Sequence, residues 1–240
     1  MRRLLFLVLT SCSAWSSAEE IRWGFATADG MPYVEVVAQQ LHGGFIYRLG
    51  QQASEQLGYQ PRFVETPNKR IDEFMQRGRI HVICNSNPQW MADPQRYHWS
   101  PPLYEEEDVL LQHRQRTPIG SLDDLLGKVL GTQLGYVYSV PLMAAFANQQ
   151  ITRQDLRDLG SGLNLLRKQR LDAIIEMRRP ASFQLAKLPD APLQISPWVI
   201  ERYQMHCTYS PKLPVSPKQL DQVLQTLRDQ GVISRLLGDT

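Results

Sequence analysis

The sequence predicts an exported α/β protein built as two units with a cleft between them. Three observations carry this expectation: a start patterned for export, a strand–loop–helix–strand–helix–strand rhythm through residue 85, and a second α/β unit beginning at Ser121.

Arg2 and Arg3 precede the apolar run Leu4–Leu9, and small and polar residues follow to Ala18. Charge, greasy stretch and small-residue site in that order read as a secretory signal, with Ser16 and Ala18 framing a cut after Ala18. The run is far below the roughly 20 apolar residues that span a bilayer. Leu9-Thr10-Ser11-Cys12 has the order of a lipidation site, which leaves a lipoprotein anchored at Cys12 as the alternative.

The full chain carries 26 Lys and Arg against 24 Asp and Glu. Loss of residues 1–18 removes two arginines and no acid, so the mature charge is balanced. Such a surface offers no field for phosphates, and no nucleic-acid partner is expected. Cys84 and Cys207 remain in the mature chain. Outside the cytoplasm a proximate pair oxidises; otherwise each packs as a small hydrophobe, and the residues alone leave both readings open. No Cys-x-x-Cys is present, and His42, His81, His98, His113 and His206 lack metal-ligand spacing, so neither metal nor cofactor is expected.

The elements follow in order. Ile21–Ala26 reads as a buried strand, leading into a loop with Asp29, Gly30, Met31, Pro32 and Tyr33. Gly43-Gly44 opens a helix with apolar positions Phe45, Leu49, Ala53 and Leu57, closed by Gly58. Pro61–Thr66 is a strand. Asn68 caps a helix bearing Ile71, Phe74 and Met75, and Ile80–Asn85 is a third strand. An alternating stretch then runs through Val109, Leu110 and Leu111 to His113. Ser121, three residues before Asp124, introduces a short helix over Leu122–Leu126. Lys128–Thr132 is a strand, Gly135–Ser139 a turn into a helix over Val140–Ala147, Leu163–Gln169 a helix, Leu171–Met177 a strand and Pro180–Leu188 a helix. Leu193–Tyr209 is extended, and Ser216–Leu237 is one terminal amphipathic helix.

These residues resemble the family 3 extracellular solute-binding proteins, which include the polar amino-acid receptors of ABC importers. The likeness lies in Ile21-Arg22-Trp23-Gly24, Pro32-Tyr33, Gly44-Phe45 with Leu57-Gly58, Ser100-Pro102-Tyr104, the run Ser121–Gly131, and Leu171-Asp172-Ala173-Ile174-Ile175. No single motif is strong; their order and spacing along nearly the whole mature chain are. The resemblance implies a two-lobed type II periplasmic-binding-protein fold with two hinge crossovers. Lobe 1 would comprise residues 19–113 and 201–240, and lobe 2 residues 114–200. It implies a monomer that captures a small polar solute in the periplasm and presents it to an inner-membrane ABC permease or a sensor. It also sets Cys84 beside the strand that carries Cys207, making the two a candidate disulfide.

Open α/β sheets bind ligands beyond the carboxyl ends of their strands. Those ends here deliver Asp29 and Tyr33, then Asn85, Ser86 and Asn87, then Gln133 and Tyr136, and finally Glu176. Trp90 and Tyr138 join Tyr33 and Tyr136 as rings able to sandwich a ligand body. The start of the Val140–Ala147 helix would suit an anionic or carbonyl group.

Two departures from the resembled family bear on the ligand. Its Thr-x-x-Arg, whose arginine forks onto a ligand carboxylate, is here Asn87-Pro88-Gln89-Trp90, with only Arg96 nearby. The acid expected after the Asp-Ala strand is Glu176, one position early, so that either Glu176 or Arg178 faces the cleft. Both shifts argue against a standard α-amino acid. An enzyme is not expected; dehydratase-like chemistry on the same scaffold, pairing Glu176 with His98 or Asp29, is the alternative, as is a partner-binding protein with a degenerate cleft.

Overall fold

Residues 19–239 are described by the computed structural model. The export-type start, its cut after Ala18 and the lipid site at Cys12 lie outside them.

The first unit opens with β1 (Glu20–Phe25) and one 3-10 turn over Thr27–Asp29. A hairpin of β2 (Glu35–Val37) and β3 (Gln40–Gly43) follows where the sequence read as loop. Its turn sets Ala38 and Gln39 at positive φ without the Asn or Gly that usually announces one. Gly44 then has φ +87°, and a Cβ there would lie 2.5 Å from the Tyr33 carbonyl oxygen, so only glycine fits. Next, α1 (Phe45–Gln56) buries Phe45, Ile46, Leu49 and Ala53 on one face. After β4 (Gln60–Glu65), Asn68 does not cap a helix: Pro67 occupies the extended position ahead of a 3-10 turn that Asn68 itself begins, and α2 (Ile71–Gln76) starts only beyond it. β5 (Val82–Ser86), β6 (His98–Trp99) and β7 (Tyr104–His113) complete this stretch.

In the second unit the Ser121–Asp124 signature forms as a reciprocal pair. The Asp124 N–H donates to Ser121 Oγ at 3.3 Å, and the Asp124 carboxylate accepts from the Gly120 N–H at 2.9 Å. It nucleates only a 3-10 turn over Asp123–Leu125. β8 (Val129–Gln133), α3 (Val140–Ala147), β9 (Thr152–Leu156), α4 (Leu159–Arg167), β10 (Ala173–Met177) and α5 (Arg178–Ala186) follow. The chain ends with β11 (Leu193–Tyr209), α6 (Pro217–Asp229) and α7 (Val232–Leu237). The expected single terminal helix is broken because Gly231 adopts φ +68°.

The main sheet has strand order β4-β1-β5-β11-β7-β10-β8-β9, with β6 also paired to β11. At one end β4, β1 and β5 run parallel; at the other β9, β8 and β10 do. Only β7 and β11 join them, as an antiparallel pair in register from Leu193↔His113 to Met205↔Tyr104, interrupted by bulges near Val199. From Asp108 onward β7 also pairs with β10, so the end of this strand near residue 113 is already part of the second sheet.

Each sheet buries its own cores. Ile21, Trp23, Leu49, Leu220, Leu224 and Ile233 fill one face of the first, while Phe74, Met75, Ile80 and Ile83 fill the other. In the second, alternation on β7 sends Leu111 into one core with Leu163 and Leu193, and Leu110 into the other with Leu125, Leu142 and Ile175. Two fully packed sheets sharing two strands are two lobes on a hinge.

Cys84 on β5 and Cys207 on β11 are joined as a disulfide across a sequence separation of 123 residues. Closing so long a loop restricts the unfolded chain. Reduction, or the Cys84→Ala, Cys207→Ala double variant, is therefore expected to lower unfolding stability by about 2–5 kcal/mol in guanidinium titrations. An unchanged midpoint would contradict this.

Candidate functional site

A cavity of about 270 Å³ lies where the carboxyl ends of the parallel strands of both sheets converge. Asp29 reaches it from beyond β1, Asn85 and Ser86 from the end of β5, Asp108 from β7, Tyr136 and Tyr138 from beyond β8, and Met177 from the end of β10. Trp90 and Met91 close it on the first-lobe side.

Each wall residue is set by local structure. Asn85 sits at φ +56°, a conformation asparagine tolerates better than most residues, and its Oδ1 accepts the Tyr104 hydroxyl at 2.8 Å. Tyr138 is buried with its hydroxyl oxygen accepting the Gln133 N–H at 2.9 Å. Arg153 braces the Gly135–Tyr138 segment from outside, donating to the Tyr136 carbonyl at 3.2 Å and pairing with Asp155 at 2.9 Å. Across the gap, the Tyr136 hydroxyl donates to Asp29 Oδ1 at 2.5 Å, a direct bond between the two lobes.

The electrostatics are one-sided. Burial pushes the Asp29 carboxyl up to about 6, with hydrogen bonds from Tyr136 and Asn85 opposing it. Asp108 is 4% exposed. Burial raises it to about 7, a Tyr203 hydrogen bond opposes, and Glu106 and Glu201 add like-charge repulsion. Glu176 is pushed up to about 8, again by burial, although Gln133 Nε2 and the Met177 N–H each donate to it at 2.9 Å. Among the described residues no positive side chain forms an ion pair or hydrogen bond with any of these three.

The expected site residues divide. Asp29, Asn85, Ser86, Trp90, Tyr136 and Tyr138 meet on the cavity wall. Glu176 and Gln133 are bonded to each other but lie outside the lining. Tyr33 is wholly buried within the first lobe, its hydroxyl donating to Glu106, and so does not reach the cavity. Asn87 is also turned away, donating to the Gln204 carbonyl at 2.8 Å. The wall takes Gly135–Tyr138 rather than the first turn of α3. Arg96 pairs with Asp93 on the surface at 3.1 Å, and Arg178 with Glu107 at 2.5 Å, so neither supplies a clamp for a carboxylate. His98 bonds Asp221 at 2.7 Å and is absent from the wall, which removes it as a partner for Glu176.

Asp108 is the buried acid on the wall that sequence reasoning missed, along with Lys69 and Asp72 at the exposed edge and Met91 and Met177. Asp108 sits within Glu105-Glu106-Glu107-Asp108, a run that reads as a solvated face. Its parity with the buried Leu110, two residues on, was the available signal.

No family model and no curated protein matches the sequence. Solved structures do match. A mutant of an arginine-binding protein from T. maritima is 19% identical, with 91% of this chain and 93% of that chain covered and a TM-score of 0.74. The GluR0 ligand-binding core in complex with L-glutamate is 14% identical, covering 92% and 98%, with a TM-score of 0.76. An ancestral amino-acid-binding protein described as a precursor of cyclohexadienyl dehydratase is 18% identical, covering 91% and 94%, with a TM-score of 0.73. The chain has the type II periplasmic-binding-protein fold, and its structure matches amino-acid-binding proteins over about nine-tenths of its length.

The raised acids make stability depend on pH. Between about pH 6.5 and 8 the native protein holds protons on Glu176 and Asp108 that the unfolded chain has released, so stability falls as pH rises through this window. His81, lowered to about 4 by burial and then by the Arg22 charge, acts in the opposite sense and mainly below this window, its effect fading above pH about 6.5. The melting temperature without added ligand is expected to be lower at pH about 8 than at about 6.5, and the Asp108→Asn, Glu176→Gln double variant should flatten that slope. A melting temperature that climbs across the window would refute the assignment.

Proposed function

We propose that this chain is an extracytoplasmic solute-binding protein that closes its two lobes around a small polar solute and passes it to an inner-membrane permease or sensor. It works as a monomer, exported by its N-terminal signal. One observation carries the reading: the carboxyl ends of both sheets, joined by β7 and β11, converge on one cavity lined by polar and aromatic side chains. In this reading the crossovers are the first half of β7 and the middle of β11. The first lobe then runs to about Glu106 and resumes near Glu201, which shifts the boundary ahead of residue 113. The Tyr136–Asp29 bond belongs to the closed form, and bulges near Val199 give β11 a place to bend.

Support also comes from the matched structures, one of an amino-acid ABC transporter's substrate-binding protein with a TM-score of 0.72. Among the described residues no helix is long and apolar enough to cross a membrane. The alternative, a partner-binding protein with a degenerate cleft, predicts a hollow that no small molecule stabilises.

A second reading rests on Glu176, whose raised pKa suits a general acid or base, and on the matched precursor of a dehydratase. Turnover separates the two: a binder leaves every compound of a carboxylic-acid panel intact, whereas an enzyme consumes one.

Thermal-shift screening against amino acids, amines, sugars and organic acids tests the main reading. A tight ligand at one hundred times its dissociation constant is expected to add about 2.7 kcal/mol of stability. Trp90→Ala should weaken that ligand by about tenfold or more, through loss of its aromatic contact. If no compound of the screen raises the melting temperature, the receptor reading fails.

A further inference from the structure

Resting on the cleft reading, we propose that the solute is a small organic cation without a carboxylate, an amine whose ammonium meets Asp108 and Asp29 and whose body lies against Trp90, Tyr136 and Tyr138.

The first support is a carboxylate with an open valence. Asp108 lines the cavity at 4% exposure. Its Oδ2 accepts from the Tyr203 hydroxyl at 3.1 Å, and its other oxygen has no hydrogen-bond partner among the described residues. A buried carboxylate in that position is costly unless a donor, best a charged one, reaches it. Two buried side-chain atoms have no hydrogen-bond partner among the described residues: Gln133 Oε1, an acceptor behind the wall on the amide that serves Glu176, and Trp90 Nε1, a donor on the wall itself.

The second support is the charge around the cavity, element by element. Beyond β1 stands Asp29; before and within α2 stand Lys69 and Asp72; β5 contributes only the neutral Asn85 and Ser86. β7 brings Asp108, with Glu106 close by; β10 brings Glu176; β11 brings Glu201 and the Tyr203 hydroxyl. The single cation on the wall is Lys69, exposed at the rim with Asp72 three residues on. The arginines nearest these groups are committed elsewhere: Arg153 to Asp155, and Arg179 to Glu106 and Asp239. A solute carboxylate would enter a field of acids with no fork to receive it; an ammonium would supply the missing opposite charge.

The third support is shape and surface. About 270 Å³ suits a solute at the small end of the range for ligand pockets. Trp90, Tyr136 and Tyr138 present ring surface to the cavity, and such faces attract cations as well as apolar bodies. Among the described residues no group of His, Cys, Asp and Glu is gathered tightly enough to hold a metal ion, which favours an organic cation. Because the acids hold protons near neutral pH, an entering ammonium displaces them, and binding tightens as pH rises from about 6 to about 8.

Titration calorimetry of the protein expressed from its full sequence tests this with two matched pairs, putrescine against ornithine and tyramine against tyrosine, and with magnesium chloride as an inorganic cation. At least one amine should bind about tenfold or more tightly than its carboxylated counterpart. That amine should lose about tenfold in Asp108→Asn and bind more tightly at the higher pH. Asp29→Asn is read the same way if Asp108→Asn does not fold. Equal or tighter binding of ornithine or tyrosine, binding of magnesium in place of the amines, or an amine indifferent to both substitutions would overturn the cation assignment while leaving the cleft reading intact. The cation assignment also fails if neither amine binds but a sugar or acid of the wider screen does. Silence of every compound in both experiments would bring down the cleft reading itself.

Discussion

The structure depends on the pairing of β7 with β11. Every other strand of the main sheet belongs to one lobe, and the two halves of that sheet are continuous through this one antiparallel ladder. Its residues therefore serve two purposes at once. They must hold the lobes in register, which demands unbroken hydrogen bonding, and they must present side chains to the hollow that the lobes enclose. The bulges near Val199 reconcile these demands by letting β11 turn without surrendering its pairing on either side.

Three successive acids on β7 are treated very differently by the fold. Glu106 is buried, but Arg179 reaches it from the start of α5 at 2.8 Å and ties it to Asp239 near the chain end. Glu107 is likewise held by Arg178 and by Arg202, the latter at 2.9 Å. Asp108 has only a tyrosine hydroxyl. A fold that compensates Glu106 and Glu107 with arginines from both sides of the hinge has the means to compensate Asp108 and does not. Uncompensated burial of that kind is destabilising, and the cavity wall is where it falls.

Much of the fold was legible because burial imposes periodicity. β11 carries the bounds expected for it, with Pro192 immediately before the strand and Pro211 just beyond its end. What stayed hidden lacked such a signal. β9 is Thr-Arg-Gln-Asp-Leu, polar because it lies at the sheet edge and pairs on one side only. The β2–β3 hairpin turns through Ala38 and Gln39, residues that do not favour positive φ. In the site, the strand-end rule found Asp29, Asn85 and Tyr136, but it placed Tyr33 on the wall, although its ring packs against Phe45 and Tyr104 inside the first lobe. Strand ends predict which loops approach a ligand; they do not say which way a side chain turns within a loop.

The same acids couple closure of the cleft to charge. In the proposed open form, Asp29 and Asp108 on the cavity wall would face water and ionise with little penalty, while Glu176 lies behind the wall on Gln133. When the lobes meet, with Tyr136 on Asp29, that water is lost and each carboxylate must be neutralised by a proton or by a cation. Closure and neutralisation are therefore one equilibrium, and whatever supplies positive charge inside the cavity shifts the hinge. Under the proposed function, a solute that brings its own negative group would gain less from closing than one that does not, so that the acids on β7 and β10 would discriminate through the hinge as well as through contact. The discrimination resides in the energy of the closed state, which no arginine among the cavity-lining residues is positioned to relieve.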